Sequence, residues 1–349
     1  MPNEEVTFVV ATYNRPDTLA IALRSVKRQS QGGWEVLVVG DDCSAETAAT
    51  VLGFGDPRIR YVNISRRFGH QSGPNSVGGL LATTPLLAYL NHDDILLPDH
   101  LARARAALRN GADFFVGAAL FAESRSEQAI NSPAPLFLEI SRSDLVAADA
   151  FAPGGNLFEP ASAWVFDRRL VEKVGIWAHP RRTYRTPLQN FVMRAWRADA
   201  RFAFGDLPTV LKIVTFRGEA AIGGTYAVAS SQHRALEDRL IGKSADEQRS
   251  IALGGIKDPM PVARARKRRN VLSRVVDRLL FCSASRALYR VTGVDTVAIY
   301  GSLLRRVPGK TYNETVIRRT SRPLPPPEDY EKHVAAAVAS ARSSMGLPG

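Results

Sequence analysis

Residues 6–26 read VTFVVATYNRPDTLAIALRSV. Positions 6–11 form a short β-branched run of the kind buried in a parallel strand. Pro16 then suits the first turn of a helix, and Leu19, Ala22, Leu23 and Val26 recur at helical spacing. The same alternation continues outward. Strand signals recur at WEVLVVG (34–40), RIRYVNI (58–64) and PLLAYL (85–90). Helical signals separate them: one stretch runs to about residue 52, and another over 77–83 follows the Gly-rich, polar GHQSGPNSVGG (69–79). A β-α-β-α-β-α-β order predicts an α/β fold, a mostly parallel sheet flanked by helices. Further on, strands are expected at 113–120 and 161–166 and a short helix at 168–175 closed by Gly175. A helix capped by Thr186 and Pro187 is expected to run to 197, with helical sequence again over 226–253.

The bulk numbers narrow the class. A chain of 349 residues with 45% hydrophobic and 23% charged content fits a globular protein with a sizeable core. Its two cysteines, Cys43 and Cys282, supply neither a disulfide framework nor a zinc site, so a reducing compartment is the default. The acidic N-terminus lacks the form of a signal peptide, and no run of roughly 20 apolar residues suggests a membrane helix. A cytoplasmic protein is expected, or one held peripherally on the inner membrane face. The net charge of +12 is concentrated: residues 262–322 hold 15 Lys/Arg against 3 Asp/Glu, leaving the remainder neutral.

In sheets of this kind ligands bind beyond the carboxyl ends of the strands. Three polar clusters fall there: Thr12-Tyr13-Asn14-Arg15, Asp41-Asp42-Cys43-Ser44 and Asn91-His92-Asp93-Asp94. Together they form a constellation. The adjacent carboxylates of the third could bind a cation, or begin a solvated turn or helix cap, since DILLPDH could open a helix.

These motifs resemble the family 2 glycosyltransferases of GT-A fold. The stretches that carry the resemblance are VVATYNRPDTL, VLVVGDDCS, GPNSVGG, YLNHDDILLP, SAWVFDRRLVEKVGIW and TPLQNFVMRAW, in order from about residue 6 to residue 197. The resemblance implies a Rossmann-like nucleotide-binding half and a nucleotide-diphosphate sugar donor. It places Thr12, Tyr13, Asn14, Arg15, Asp41, Asp42, Asn75 and Asn91 around the nucleotide, with Asp41 accepting a hydrogen bond from the base. It also implies Mn²⁺ or Mg²⁺ at a D-x-D type motif. Here Asn91 replaces the first Asp, Asp94 is expected as the direct metal ligand, and Asp93 as ligand or catalytic neighbour. His92 is read as structural.

An inverting transferase needs a base for the acceptor hydroxyl, best a carboxylate. The family position for it falls on Asn190, an amide that cannot take the proton at neutral pH. Asp167, Asp199, Asp206 or His179 could serve instead, or the protein could bind sugar nucleotides or glycans without turnover. Trp164 stands where the family contacts its acceptor, with core packing as the other reading; Trp177 is read as core.

The expected organisation is a GT-A domain over 1–225, a helical, basic region over 226–322, and a Pro-rich linker with a terminal helix over 323–349. Residues 262–281 carry paired apolar positions every four residues, flanked by Arg268, Arg269, Arg274 and Arg278. Such a helix suits an anionic membrane surface, through 262–306, or docking on its own domain. Nucleic acid is disfavoured, because aromatic interleaving is sparse and no zinc ligand set is present. A glycan or lipid-linked acceptor in surface polysaccharide synthesis completes the expectation.

Overall fold

A computed structural model describes residues 4–122, 137–140, 160–183, 186–213, 230–254, 260–261, 283–292 and 326–347. The first half is the expected alternation: β1 (Val6–Thr12), α1 (Pro16–Lys27), β2 (Trp34–Asp41), α2 (Ala45–Leu52), β3 (Ile59–Ile64), α3 (Ser72–Leu81) and β4 (Leu86–Tyr89). It continues through β5 (Asp94–Leu96), α4 (His100–Arg109), β6 (Phe114–Ala122), β7 (Phe137–Ile140), β8 (Trp164–Asp167), α5 (Arg169–Val174) and α6 (Pro187–Arg197). Then come β9 (Phe202–Lys212), α7 (Ser230–Leu240), α8 (Ala245–Leu253), β10 (Met260–Pro261), α9 (Ser283–Thr292) and α10 (Tyr330–Ser344).

One sheet runs in the order β10-β7-β6-β8-β4-β1-β2-β3, with β9 beside β6 and β5 beside β9. The β3-β2-β1-β4 half is parallel, as the sequence pattern predicts. Beyond it β8 enters antiparallel to both β4 and β6, so the whole sheet is mixed. Val6, Phe8, Val9 and Val10 in β1 and Val36 to Val39 in β2 are fully buried, which explains why these strands are continuous apolar runs.

Helix α3 begins at Ser72, earlier than its polar, glycine-rich sequence suggests. The reason is steric. A Cβ on Gly78 would lie 2.3 Å from Val9 Cγ1, so the missing side chain lets the helix lie directly on β1. Thr186 caps α6 as expected, its hydroxyl accepting from Gln189 N–H at 3.2 Å, and Gly175 ends α5 at φ +74°. Of the 226–253 stretch, the described residues 230–253 form two helices, broken at Gly242 and restarted by a Ser244–Glu247 capping box. Glu237 of α7 ties that helix to Arg24 and Arg28 of α1.

The terminal helix α10 packs on α3 and β3. Tyr330 donates to the Trp177 carbonyl at 2.9 Å and meets Ser76 Oγ at 3.2 Å. The basic stretch 262–281 and residues 297–306 lie outside the described residues. Among the described residues no helix is long and apolar enough to cross a membrane.

Candidate active site

Because β2, β1 and β4 are parallel neighbours, their carboxyl ends open on one side of the sheet. The turns beyond them are stitched together. Asn14 Oδ1 accepts from Ser44 N–H at 2.8 Å, Cys43 Sγ donates to the Thr12 carbonyl at 3.4 Å, and His92 Nδ1–H donates to the Ala11 carbonyl at 3.2 Å. Asn14 and Asp42 both hold positive φ, 46° and 61°. Backbone in that region costs energy for residues other than glycine and clusters at functional sites. The three polar clusters thus form one crevice.

Within it the residues divide by role. Asp41 is 4% exposed, and its two carboxylate oxygens accept from Phe68 N–H at 2.7 Å and Gly69 N–H at 2.8 Å. Burial pushes its pKa up to about 6, against those two hydrogen bonds. Asp41 therefore anchors the β3–α3 loop with one hydrogen bond to each oxygen, and each oxygen keeps a further acceptor site. Asp42 is the exposed carboxylate of that turn. Arg67, from the same loop, stacks on the Tyr13 ring at 3.7 Å. Asn75 is buried on α3, behind the crevice. Arg15 precedes α1, and its charge adds to the burial that lowers the pKa of His92.

The paired carboxylates also separate. Asp94 is fully buried at the start of β5. One oxygen accepts from Lys212 Nζ at 3.0 Å; the other accepts from Ser162 Oγ at 2.6 Å and Asn91 Nδ2 at 2.7 Å. Burial, joined by the charge of Asp93, raises its pKa even against those donors. Asp94, expected as the direct metal ligand, is paired with the Lys212 ammonium in this structure. Asp93 is 9% exposed, and its carbonyl, not its carboxylate, accepts from His233 Nε2–H at 3.0 Å. Burial works against its charge, but Lys212, His92 and His233 outweigh burial and hold its pKa low. Among the described residues no three His, Cys, Asp or Glu side chains gather as a metal cage. Divalent ions in phosphate-binding sites commonly take one or two carboxylates plus the phosphates themselves.

Asn190 sits in the first turns of α6, where its Oδ1 accepts from Arg194 Nε at 3.0 Å; Arg194 also holds the Val174 and Ile176 carbonyls. Its neighbour Phe191 packs on Tyr89, the last residue of β4, with ring centroids 6.2 Å apart, which brings this turn toward the β4 end. The other proposed bases are placed elsewhere. Asp167 pairs in register with Leu86, at the opposite end of β4, and is bound by Arg169. Asp199 follows the far end of α6, about 13 Å along the axis from Asn190, and pairs with Arg290. The Asp206 side chain is 84% exposed beside Arg103. His179 is buried and accepts from Arg181 N–H. Trp164, expected at the acceptor, is fully buried, edge-on to Phe114 and stacked on Trp177 and Phe191, as in the core-packing reading. Trp177 is core as read.

Sequence reasoning missed Ser162, Arg67, Lys212 and His233. No local motif marks them. Lys212 is the register partner of Asp94 across the β5–β9 pair, so reading β9 as a strand would have exposed it.

A parallel sheet half with a polar crevice beyond its strand ends, lined by a carboxylate, an arginine and an aromatic, defines a nucleotide-binding α/β domain. Residues 7–175, just under half of the chain, match Glycosyl transferase family 2. A succinoglycan biosynthesis protein, ExoO of Rhizobium meliloti (strain 1021), is 42% identical over 100 residues, 28% of each chain. The Escherichia coli UDP-Glc:alpha-D-GlcNAc-diphosphoundecaprenol beta-1,3-glucosyltransferase WfgD is 30% identical over 113 residues, 32% of this chain and 44% of that one. The chain thus spans less than half of these relatives. TarS 1-349 of S. aureus in complex with UDP-GlcNAc aligns over 98% of this chain and 92% of that one, at 14% identity and a TM-score of 0.49.

Proposed function

We propose that the protein transfers a sugar, with inversion, from a nucleotide-diphosphate sugar to a glycan or lipid-linked acceptor in polysaccharide synthesis. The observation that carries this is the meeting of three polar turns at the ends of β1, β2 and β4, stitched by Asn14–Ser44 and His92–Ala11, with Asp93 next to His92. The resemblance of the matching segment to ExoO and WfgD supports the acceptor class. In this reading residues 1–225 form the transferase unit, with helices beyond it. The Tyr13 face and the exposed Asp42 meet the nucleoside, and Arg15 meets phosphate through charge and a planar donor fork. Asp93 would hold a divalent ion together with the diphosphate; when bound, that ion supplies positive charge to the departing nucleoside diphosphate. Lys212, paired with Asp94, adds a permanent positive charge that also acts on Asp93.

A second reading rests on Asn190. Its amide bonds Arg194 and cannot take a proton at pH 7, so the crevice would bind donor without turning it over. Calorimetry with UDP- and GDP-sugars, with and without Mn²⁺, separates these cases when paired with a product assay. Donor binding that Mn²⁺ strengthens, with nucleotide release, supports the transferase. Donor binding without release supports the second reading, and no binding to any donor removes both. The membrane partner expected through 262–306 is tested by retention on anionic vesicles, lost on changing Arg268 and Arg269 to Ala.

A further inference from the structure

The loop that Asp41 anchors also lines a second cavity, of about 120 Å³, closed on its other side by α10. Into it face Arg66, Arg67, His70, His179, Tyr330 and His333. Of the residues named at the crevice, Arg67 lines this cavity as well, and so does His179, one of the alternative bases. Donors around it lack acceptors. His179 Nδ1 accepts from Arg181 N–H at 3.1 Å, so in the neutral ring the proton sits on Nε2. That Nε2 is buried and has no hydrogen-bond partner. His70 is 7% exposed, and neither of its ring nitrogens has a partner. Its ring meets that of His179 edge-on, with centroids 4.9 Å apart. Arg67 Nε–H is likewise buried and unpartnered.

Two acceptors stand at the edge of the cavity, the Tyr330 hydroxyl and the exposed carboxylate of Asp329, which is a lining residue. The Tyr330 hydroxyl donates to the Trp177 carbonyl, and Asp329 lies 3.5 Å from Lys332 Nζ. At the mouth Arg66 touches His333 Nε2, and Arg66 is exposed. Buried N–H groups without acceptors each cost free energy until an acceptor arrives. Three such donors with two guanidinium groups match an oxyanion, whose several oxygens accept and whose charge the arginines balance.

We propose that this cavity binds a phosphate group, as free phosphate or as a phosphomonoester, through His70, His179, Arg67 and Arg66. The two sites share Arg67 through its stacking on Tyr13, while His70, His179 and Arg66 belong to this cavity alone. The test uses the full chain, ¹⁵N-labelled at its six histidines, titrated with inorganic phosphate and separately with glucose 1-phosphate. The expected result is saturable movement of the His70 and His179 ring nitrogens with at least one probe. Response to both assigns the free anion; response to the ester alone assigns a phosphomonoester. The paired change of Arg66→Ala and His333→Ala, both at the cavity mouth, should weaken binding at least tenfold while leaving the melting temperature without phosphate unchanged. Movement confined to His92, which reports the donor crevice, would overturn the proposal. So would unmoved histidines with both probes, or unchanged affinity in the folded double variant.

Discussion

Replacing Lys212 by Met tests how the Asp94 cluster is held. Met keeps most of the apolar stem and removes the ammonium that meets Asp94 at 3.0 Å. Asp94 is 0% exposed and its other donors, Ser162 and Asn91, are neutral, so the variant leaves a buried carboxylate without a countercharge. Breaking a buried pair in this way costs 3–5 kcal/mol, and the 20% exposure of Lys212 places the loss near the lower end, about 3 kcal/mol. At roughly 2 °C per kcal/mol for a chain of this size, the melting temperature should fall by about 6 °C. The deficit should depend on pH. The Asp94 pKa is already raised in the folded state, and without Lys212 it rises further. A raised acid pKa means that folding takes up a proton, so stability falls as pH rises through the folded value. The Lys212→Met deficit should therefore be largest at neutral pH and shrink in acid. Adding Asp94→Asn should restore most of the loss, since an amide needs no ammonium. Urea unfolding of both variants at pH 5 and pH 7.5 measures this. A loss below about 1 kcal/mol at pH 7.5, or a double variant no more stable than the single, would refute the buried pair as the cluster's support.

Asp41 gives a second pH signature. Its folded pKa of about 6 lies above the unfolded value of about 4, so its contribution to stability falls as pH rises from about 4 to about 6 and then levels. Asp41→Asn should remove that slope in denaturant titrations, and should also loosen the Phe68–Gly69 loop, read as faster amide exchange there. Trp164→Ala should cost about 3–5 kcal/mol as a core truncation, while Trp164→Phe should leave the acceptor KM unchanged; an acceptor KM raised tenfold in the folded Phe variant would restore the contact reading. Asn190→Asp should raise kcat about 10²-fold with little change in donor affinity, measured by product release and calorimetry.

The strands of the parallel half were legible because burial on both faces writes them as unbroken apolar runs. The crevice was legible for the same reason, since its polar clusters interrupt those runs at their ends. β9 was not, because Gly205 and Pro208 break its pattern where the register with β6 shifts. β5 is three residues long and reads as the start of a helix. Losing both strands hid Lys212, whose partner lies 118 residues away in sequence. The two carboxylates looked interchangeable in sequence. Entry into β5 makes them unlike: successive side chains leave an extended chain on opposite faces, and Asp94 takes the inward one.

Two amides stand where the family resemblance has carboxylates, and the surroundings treat them differently. Asn91 donates through Nδ2 to Asp94, so a carboxylate in its place would set a second negative charge against a buried one. Lys212 would then face two carboxylates with one charge. Asn91→Asp should therefore destabilise the fold, by an amount that shrinks as pH falls. Asn190 is not fixed in this way. It uses its oxygen, accepting from Arg194, and an Asp would accept from the same guanidinium with added charge attraction. Nothing that Asn190 touches requires an amide, whereas the Asp94 cluster does require one at Asn91. The first replacement is thus tied to the Asp94 cluster, and the second concerns the chemistry alone. Equal stability of Asn190→Asp and the parent, beside a destabilised Asn91→Asp, would support this division; the reverse order would refute it.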